Sequence, residues 1–415
     1  MALLLAAPGA GVTLLACSSA TSSAGTVDAS GTLAGDGGFV PPADPGPGGV
    51  VFAVSGEVLS LTGYTFPPAQ DGDPAFVDGW DVKFSRLLVT IDKITLSANP
   101  DLSPGDQSET GDLVAQVDGP WAVDLSHPDP SYLPGKGGPG EQAVPIAALS
   151  GQNKNGGAAF ATDGTRYAFG FDAVPASASA MNVNLDALAL ADYQEMVKQG
   201  CVVMYVGTAT FKGGTVKGFE SCNSDPVYAS WPKEVGFRLC FKSPTTYSNC
   251  QNPDNDPAKA LGAEEHQRGV AFQADKSVIA QVTFHTDHPF WDSVIHDSPT
   301  HFDQLAARVA GQQTDGGVPP VVTLDATRGV DYTAYTDALG YKLQWRYCME
   351  PPTDAHPKLT GAMAFDPQTV PHATGGDPAS GLRDYADFAT YEQSTQGHLN
   401  SDGLCFVRRN YPSPR

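Results

Sequence analysis

Short β-type phrases alternate with turn residues along this chain, and that punctuation constrains its fold more than any other feature. Gly and Pro number 45 and 34 among 415 residues. Between them stand runs in which apolar and polar side chains alternate, the period of a strand with one buried face. Residues 278–284 are the clearest case, with Val278, Ala280, Val282 and Phe284 on one face and Gln281 and Thr283 on the other. Residues 51–65, 80–96, 112–125, 166–174, 201–211, 235–240, 320–325 and 343–347 read as further strands, with 144–149 as a short apolar element. In the second of these the face changes near Ser85-Arg86, which predicts a bulge. Tyr167, Phe169 and Phe171 share one face of their strand, a pattern of core packing.

Helical signals are few. Asn184 is placed to cap a helix that runs through Lys198 and stops at Gly200, with Leu185, Leu188, Ala189, Tyr193 and Met196 on its apolar side. A second helix is expected with Pro299 at its first position, capped by Asp297 or Ser298, and a third over 378–391 with Asp377 as its cap. Strands outnumber helices widely. The fold class expected is therefore mainly β, a β-sandwich with a few added helices, because a doubly wound sheet needs regular helical crossovers.

Four of the nine histidines fall within 17 positions: His285, His288, His296 and His301. His285 continues the polar face of the 278–284 strand to its end, and Pro289 stops the pattern because it offers no amide donor to a ladder. A strand end, a loop and a helix start thus bring imidazoles and Asp287 into one neighbourhood, with Asp292, Asp297 and Asp303 as further carboxylates. Such a donor set suits a transition metal, copper or zinc above all. His398, near Cys405, is the remaining histidine placed to fold back toward the group. His127, His266, His356 and His372 are scattered. Asn252, Asp254, Asn255 and Asp256 offer oxygen donors of the kind calcium takes, but they lack the Gly and terminal Glu of the twelve-residue calcium loop; side-chain-stabilised turns are the other reading.

Residues 1–16 are apolar or small and uncharged, too short and too interrupted to span a membrane. The run Leu14-Leu15-Ala16-Cys17 resembles the cleavage box of bacterial lipoproteins, although no Lys or Arg precedes the apolar run. The resemblance implies removal of residues 1–16, lipidation of Cys17 with an acyl anchor such as palmitate in a lipid bilayer, and a place in the bacterial cell envelope, at the outer membrane or cell surface. The phrases GEVLSLTGY and VTIDKITLS loosely resemble the first strands of small lipoprotein β-sandwich modules. Residues 17–50, rich in Ser, Gly and Pro, read as a tether. Two parts follow: a β-sandwich-like stretch at 51–180 and a β-rich stretch with helices at 181–415, which can pack as one unit.

Six cysteines besides Cys17 lie beyond residue 200: Cys201, Cys222, Cys240, Cys250, Cys348 and Cys405. An even set in an exported chain predicts three disulfides. The absence of C-x-x-C argues against a redox pair or zinc ribbon. A net charge of -22 disfavours nucleic acid as a partner. No phosphate loop, nucleophile elbow or H-E-x-x-H is present. The function expected is a non-catalytic metal-binding lipoprotein of the surface or periplasm, with an envelope protein as a possible partner. A structural or adhesion lipoprotein binding protein or glycan is one alternative, and a secreted hydrolase with convergent carboxylates is the other.

Overall fold

The computed structural model describes residues 39–70, 72–129, 131–151, 158–215, 229–291, 299–329, 348 and 384–410. The expected strand at 343–347 lies outside these residues, as do Cys17, Cys222, Asp292, His296, Asp297, His356 and His372. The chain opens with β1 (Val50–Ser55), α1 (Glu57–Thr62) and the long β2 (Trp80–Ser97). Next come β3 (Leu113–Val117), β4 (Trp121–Asp124), β5 (Leu133–Pro134), β6 (Gln142–Leu149), β7 (Arg166–Ala173) and β8 (Met181–Asn182). α2 (Ala187–Gln199) leads into β9 (Val203–Phe211), β10 (Glu234–Phe241), β11 (Thr245–Ser248), β12 (Val270–Ala271) and β13 (Val278–Phe284). α3 (Asp303–Ala306), β14 (Val321–Thr323), α4 (Tyr385–Gln393), β15 (Gly397–Leu399), β16 (Gly403–Leu404) and β17 (Phe406–Arg409) complete it.

These elements make a mixed α/β fold dominated by two large sheets, with a few short helices. The smaller sheet has the order β16-β15-β13-β1-β6-β5, and the larger runs β14-β10-β9-β2-β7-β11-β17 with β3, β4, β8 and β12 attached. Pairing crosses the middle of the sequence in both sheets, as β13 lies beside β1 and β9 beside β2. Phe52 of β1 meets Phe169 of β7 at 6.1 Å between ring centroids, and Phe284 of β13 meets Phe171 of β7 at 6.2 Å. Phe52, Val54, Val282 and Phe284 are all fully buried, each worth about 1.5–3 kcal/mol of transfer from water.

The register of β2 against β9 shifts between Phe84 and Arg86, where the change of face predicts it. Elsewhere the expectations need correction. Residues 57–62 are helical rather than a continuation of the first strand. Glu57 adopts φ +61, and its amide donates to the Ser55 Oγ at 2.9 Å. Gly63 then ends the turn at φ +68, where a Cβ would stand 2.2 Å from the Val82 carbonyl oxygen. Alternating Val58, Leu59, Ser60 and Leu61 fit one helical turn as well as they fit a strand, and the backbone contact with β2 decides between them.

The expected strand at 112–125 is broken at Asp118–Pro120 into β3 and β4. α2 is capped by Asp186, whose carboxylate accepts from the amides of Leu188 and Ala189. Asn184 is occupied instead with the backbone of Asp124. Leu190 rather than Leu188 faces the core. α4 starts at Tyr385 with Asp384 as its cap. α3 begins at Asp303, well after Pro299, because a remote carboxylate caps it: Asp78 accepts from the amides of Phe302 and Asp303 at 2.7 and 2.8 Å.

Two disulfides are described. Cys201–Cys240 ties the entry of β9 to β10, and Cys250–Cys405 ties the C-terminal strands to the body. Cys348 is disulfide-bonded too. Asn252, Asp254, Asn255 and Asp256 hold turns together: Asn252 accepts from the Asp254 amide, Asn255 donates to the carbonyls of Gln267 and Gly269, and Asp256 caps a short helical turn. Asp254 pairs with Lys136 at 2.7 Å. Among the described residues no helix is long and apolar enough to cross a membrane.

Candidate metal centre

β1 and β13 are the parallel pair of the smaller sheet, so both leave it at the same end. Parallel strands concentrate their exits, and side chains just past those exits are brought together. β13 places Gln281 and Thr283 on the face opposite Val282 and Phe284, and His285 follows in that phase. The polar face is buried and fully engaged: Gln281 donates to Glu141 at 2.8 Å and to Thr283 at 2.9 Å, and the Ser401 amide donates to Thr283. β15 runs antiparallel to β13 with His398 opposite Thr283. The ladder continues one step further, as the His285 amide donates to the Gln396 carbonyl at 3.0 Å.

Beyond the strand the chain turns sharply through a short helical turn at His288–Phe290. This brings His285, Asp287 and His288 into a buried His/Asp cluster in which one ligand atom from each lies within 4.8 Å of the others. His398, 2 % exposed, packs its ring 4.2 Å from that of His285 and 5.6 Å from that of His288. His301 is held elsewhere in its contacts, with Nδ1 3.7 Å from the carboxylate of Asp78. Asp303 accepts from the Trp80 indole at 2.8 Å.

Hydrogen bonding sets the tautomer of both imidazoles of the cluster. His285 Nε2 faces the Ser401 carbonyl at 3.0 Å, and since a carbonyl can only accept, Nε2 carries the proton and Nδ1 the lone pair of the neutral ring. His288 Nδ1 lies 2.7 Å from Thr395 Oγ1, whose own hydrogen goes to the Glu392 carbonyl at 2.8 Å. The threonine oxygen therefore accepts from Nδ1–H, and Nε2 of His288 keeps its lone pair. One N–H of each ring is thus anchored to a carbonyl or a hydroxyl, the arrangement that orients metal-binding histidines. Asp287 Oδ2 accepts from the Trp291 indole at 3.1 Å, while Oδ1 is buried and accepts no hydrogen bond. The Trp291 ring stacks on His288 at 3.8 Å. Two lone-pair nitrogens and one unsatisfied carboxylate oxygen form a donor set that fits a transition-metal ion.

The surroundings are strongly anionic. Burial pushes the carboxyl of Glu57 up to about 7, against the opposing pull of His285, and the nearby carboxylates of Asp287, Glu141 and Asp402 add to the rise. Burial depresses the His285 imidazole, but Glu57, Asp287, the Ser401 carbonyl and Asp402 together outweigh it and leave the ring above its ordinary value. The phenols of Tyr64 and Tyr205, buried beside Asp287, are raised well above the usual tyrosine range. A cation in this neighbourhood relieves repulsion that the protein otherwise carries.

Sequence spacing points to His285, Asp287 and His288 because they are local. Glu57, Thr395 and Ser401 carry no such signal, since only the parallel pairing and the β13–β15 ladder bring them in. Compared with models of protein families, with curated proteins and with solved structures, the chain matches none.

Proposed function

We propose that this chain is a non-catalytic metal-binding lipoprotein of the bacterial envelope, and that His285, Asp287 and His288 hold the ion with His398 beside them. The observation that carries the reading is the convergence of those three donors, each fixed by a hydrogen bond on its far side. Zinc or copper(II) suits imidazole and carboxylate donors. A tetrahedral ion with bonds of about 2.1 Å needs donors about 3.4 Å apart, so binding would draw the side chains inward.

Purified wild type and a His285→Ala, His288→Ala double variant should differ by one equivalent of metal in elemental analysis. Equal contents would remove the proposal. The envelope location rests on the Leu14-Leu15-Ala16-Cys17 box and agrees with the use of disulfides, which persist in oxidising compartments. Metabolic labelling with palmitate should mark the wild type and not Cys17→Ala; label in both would sink the anchor.

We also infer that the two sheets pack face to face as a β-sandwich. Supporting this, the rings of Phe52 and Phe284 from one sheet meet Phe169 and Phe171 from the other.

A further inference from the structure

We propose that Glu57 is an additional ligand: an ion held by His285, Asp287 and His288, whose donor atoms lie within 4.8 Å of one another, draws in the Glu57 carboxylate from the exit of the neighbouring strand, where it already stands beside His285. This inference rests on the metal-binding reading above and makes the site one for a divalent ion.

Three observations on Glu57 lead there. Its Oε1 lies 3.5 Å from His285 Nδ1, the ring nitrogen that carries the lone pair when the imidazole is neutral. That separation is too long for a good hydrogen bond, yet two donors each about 2.0–2.2 Å from a shared tetrahedral ion stand roughly 3.3–3.6 Å apart. Second, among the described residues no hydrogen bond reaches the Glu57 carboxylate, although its side chain is only 18 % exposed. Third, Glu57 holds φ +61, where a residue with a Cβ is disfavoured by about 1–2 kcal/mol. The backbone is fixed there at both ends, by the Ser55 Oγ accepting from its amide and the Ser60 hydroxyl donating to its carbonyl, each at 2.9 Å. Glycine would occupy this position at lower cost, so the presence of glutamate calls for a use of its side chain.

The other nearby carboxylates do not meet these conditions. Asp402 approaches His285 at 4.0 Å, but on the Nε2 side already committed to Ser401, and it is 67 % exposed. Glu141 is engaged by Gln281 and by the Gly137 amide. With Glu57 included, two neutral imidazoles and two carboxylates balance the charge of a divalent cation. Oxygen-rich donors of this kind disfavour monovalent copper, which prefers sulfur.

The test is a competition titration of the metal-free protein with Zn²⁺, together with visible absorption of the Co²⁺-loaded form. Wild type, Glu57→Gln, Glu57→Gly and His288→Ala are compared. Glycine relieves the positive φ, so Glu57→Gly should melt no lower than the metal-free wild type and guards against a folding artefact. Both Glu57 variants should bind Zn²⁺ at least tenfold more weakly and show shifted cobalt bands, while His288→Ala loses binding. Wild-type binding that His288→Ala abolishes, with affinity unchanged in the Glu57 variants, would overturn this ligand and leave the metal centre standing. Weaker affinity with an unaltered cobalt spectrum would also overturn ligation, assigning Glu57 to the field alone. A wild type that takes up neither ion would overturn both readings.

Discussion

At the scale of single residues, the groups behind the candidate donors matter as much as the donors. Trp291 does two things at once, stacking on the His288 ring and donating its indole N–H to Asp287 Oδ2. Trp291→Phe keeps an aromatic face on His288 and deletes the donor. Loss of an orienting partner of this kind typically lowers metal affinity 10–100-fold, and a loss of about tenfold in a zinc competition titration is expected here. An unchanged constant would mean that Asp287 is oriented by something else. The local part of the site is legible in the sequence because His285, Asp287 and His288 span four consecutive positions, and the strand phase assigns His285 to the polar face. Glu57 is not legible. Its neighbours Val58, Leu59 and Leu61 suit helix and strand alike, and its partner is reached only through a parallel pairing of strands distant in the chain.

Elements show the same division between what is written locally and what is not. β13 is read to its exact bounds from alternation alone, and the bulge of β2 from a change of face. Helix starts are read less well, because capping is a matter of where a carboxylate ends up in space. Asp186 outcompetes Asn184 for α2 once Asn184 is drawn to Asp124. α3 has no cap of its own and relies on Asp78, fully buried, which accepts two amide hydrogens and faces His301. Asp78→Ala would leave those amides without a partner in a dry environment. Hydrogen bonds to a charged group are worth about 1.5–3 kcal/mol each, so a loss near 3 kcal/mol should appear as a lower urea midpoint at unchanged slope. A shift under about 1 kcal/mol would show that α3 is held by its packing, with Phe302 and Leu305 in the core, rather than by the cap.

Across the whole molecule, the covalent ties differ in what they close. Cys250–Cys405 spans 155 residues and Cys201–Cys240 spans 39. On the chain-entropy view, the longer loop stabilises by about 1 kcal/mol more than the shorter one. The Cys250→Ala, Cys405→Ala pair should therefore melt lower than the Cys201→Ala, Cys240→Ala pair by scanning calorimetry. The reverse order would show that local packing around each bond dominates. The five described cysteines beyond residue 200 are all bridged, in line with the expectation from the even number of the set; which ones pair was not legible, since the Cys250–Cys405 bond depends on the return of the last strands.

Those returning strands set when the centre comes into being. Thr395, Gln396, His398 and Ser401 meet β13 only after the long stretch of chain between them has been made, and β1, from much earlier in the sequence, pairs with the other edge of β13. An unfolded chain presents these groups as separate, hydrated side chains with no preference for one ion over another. An ion held by this cluster would therefore be selected from those present where folding is completed.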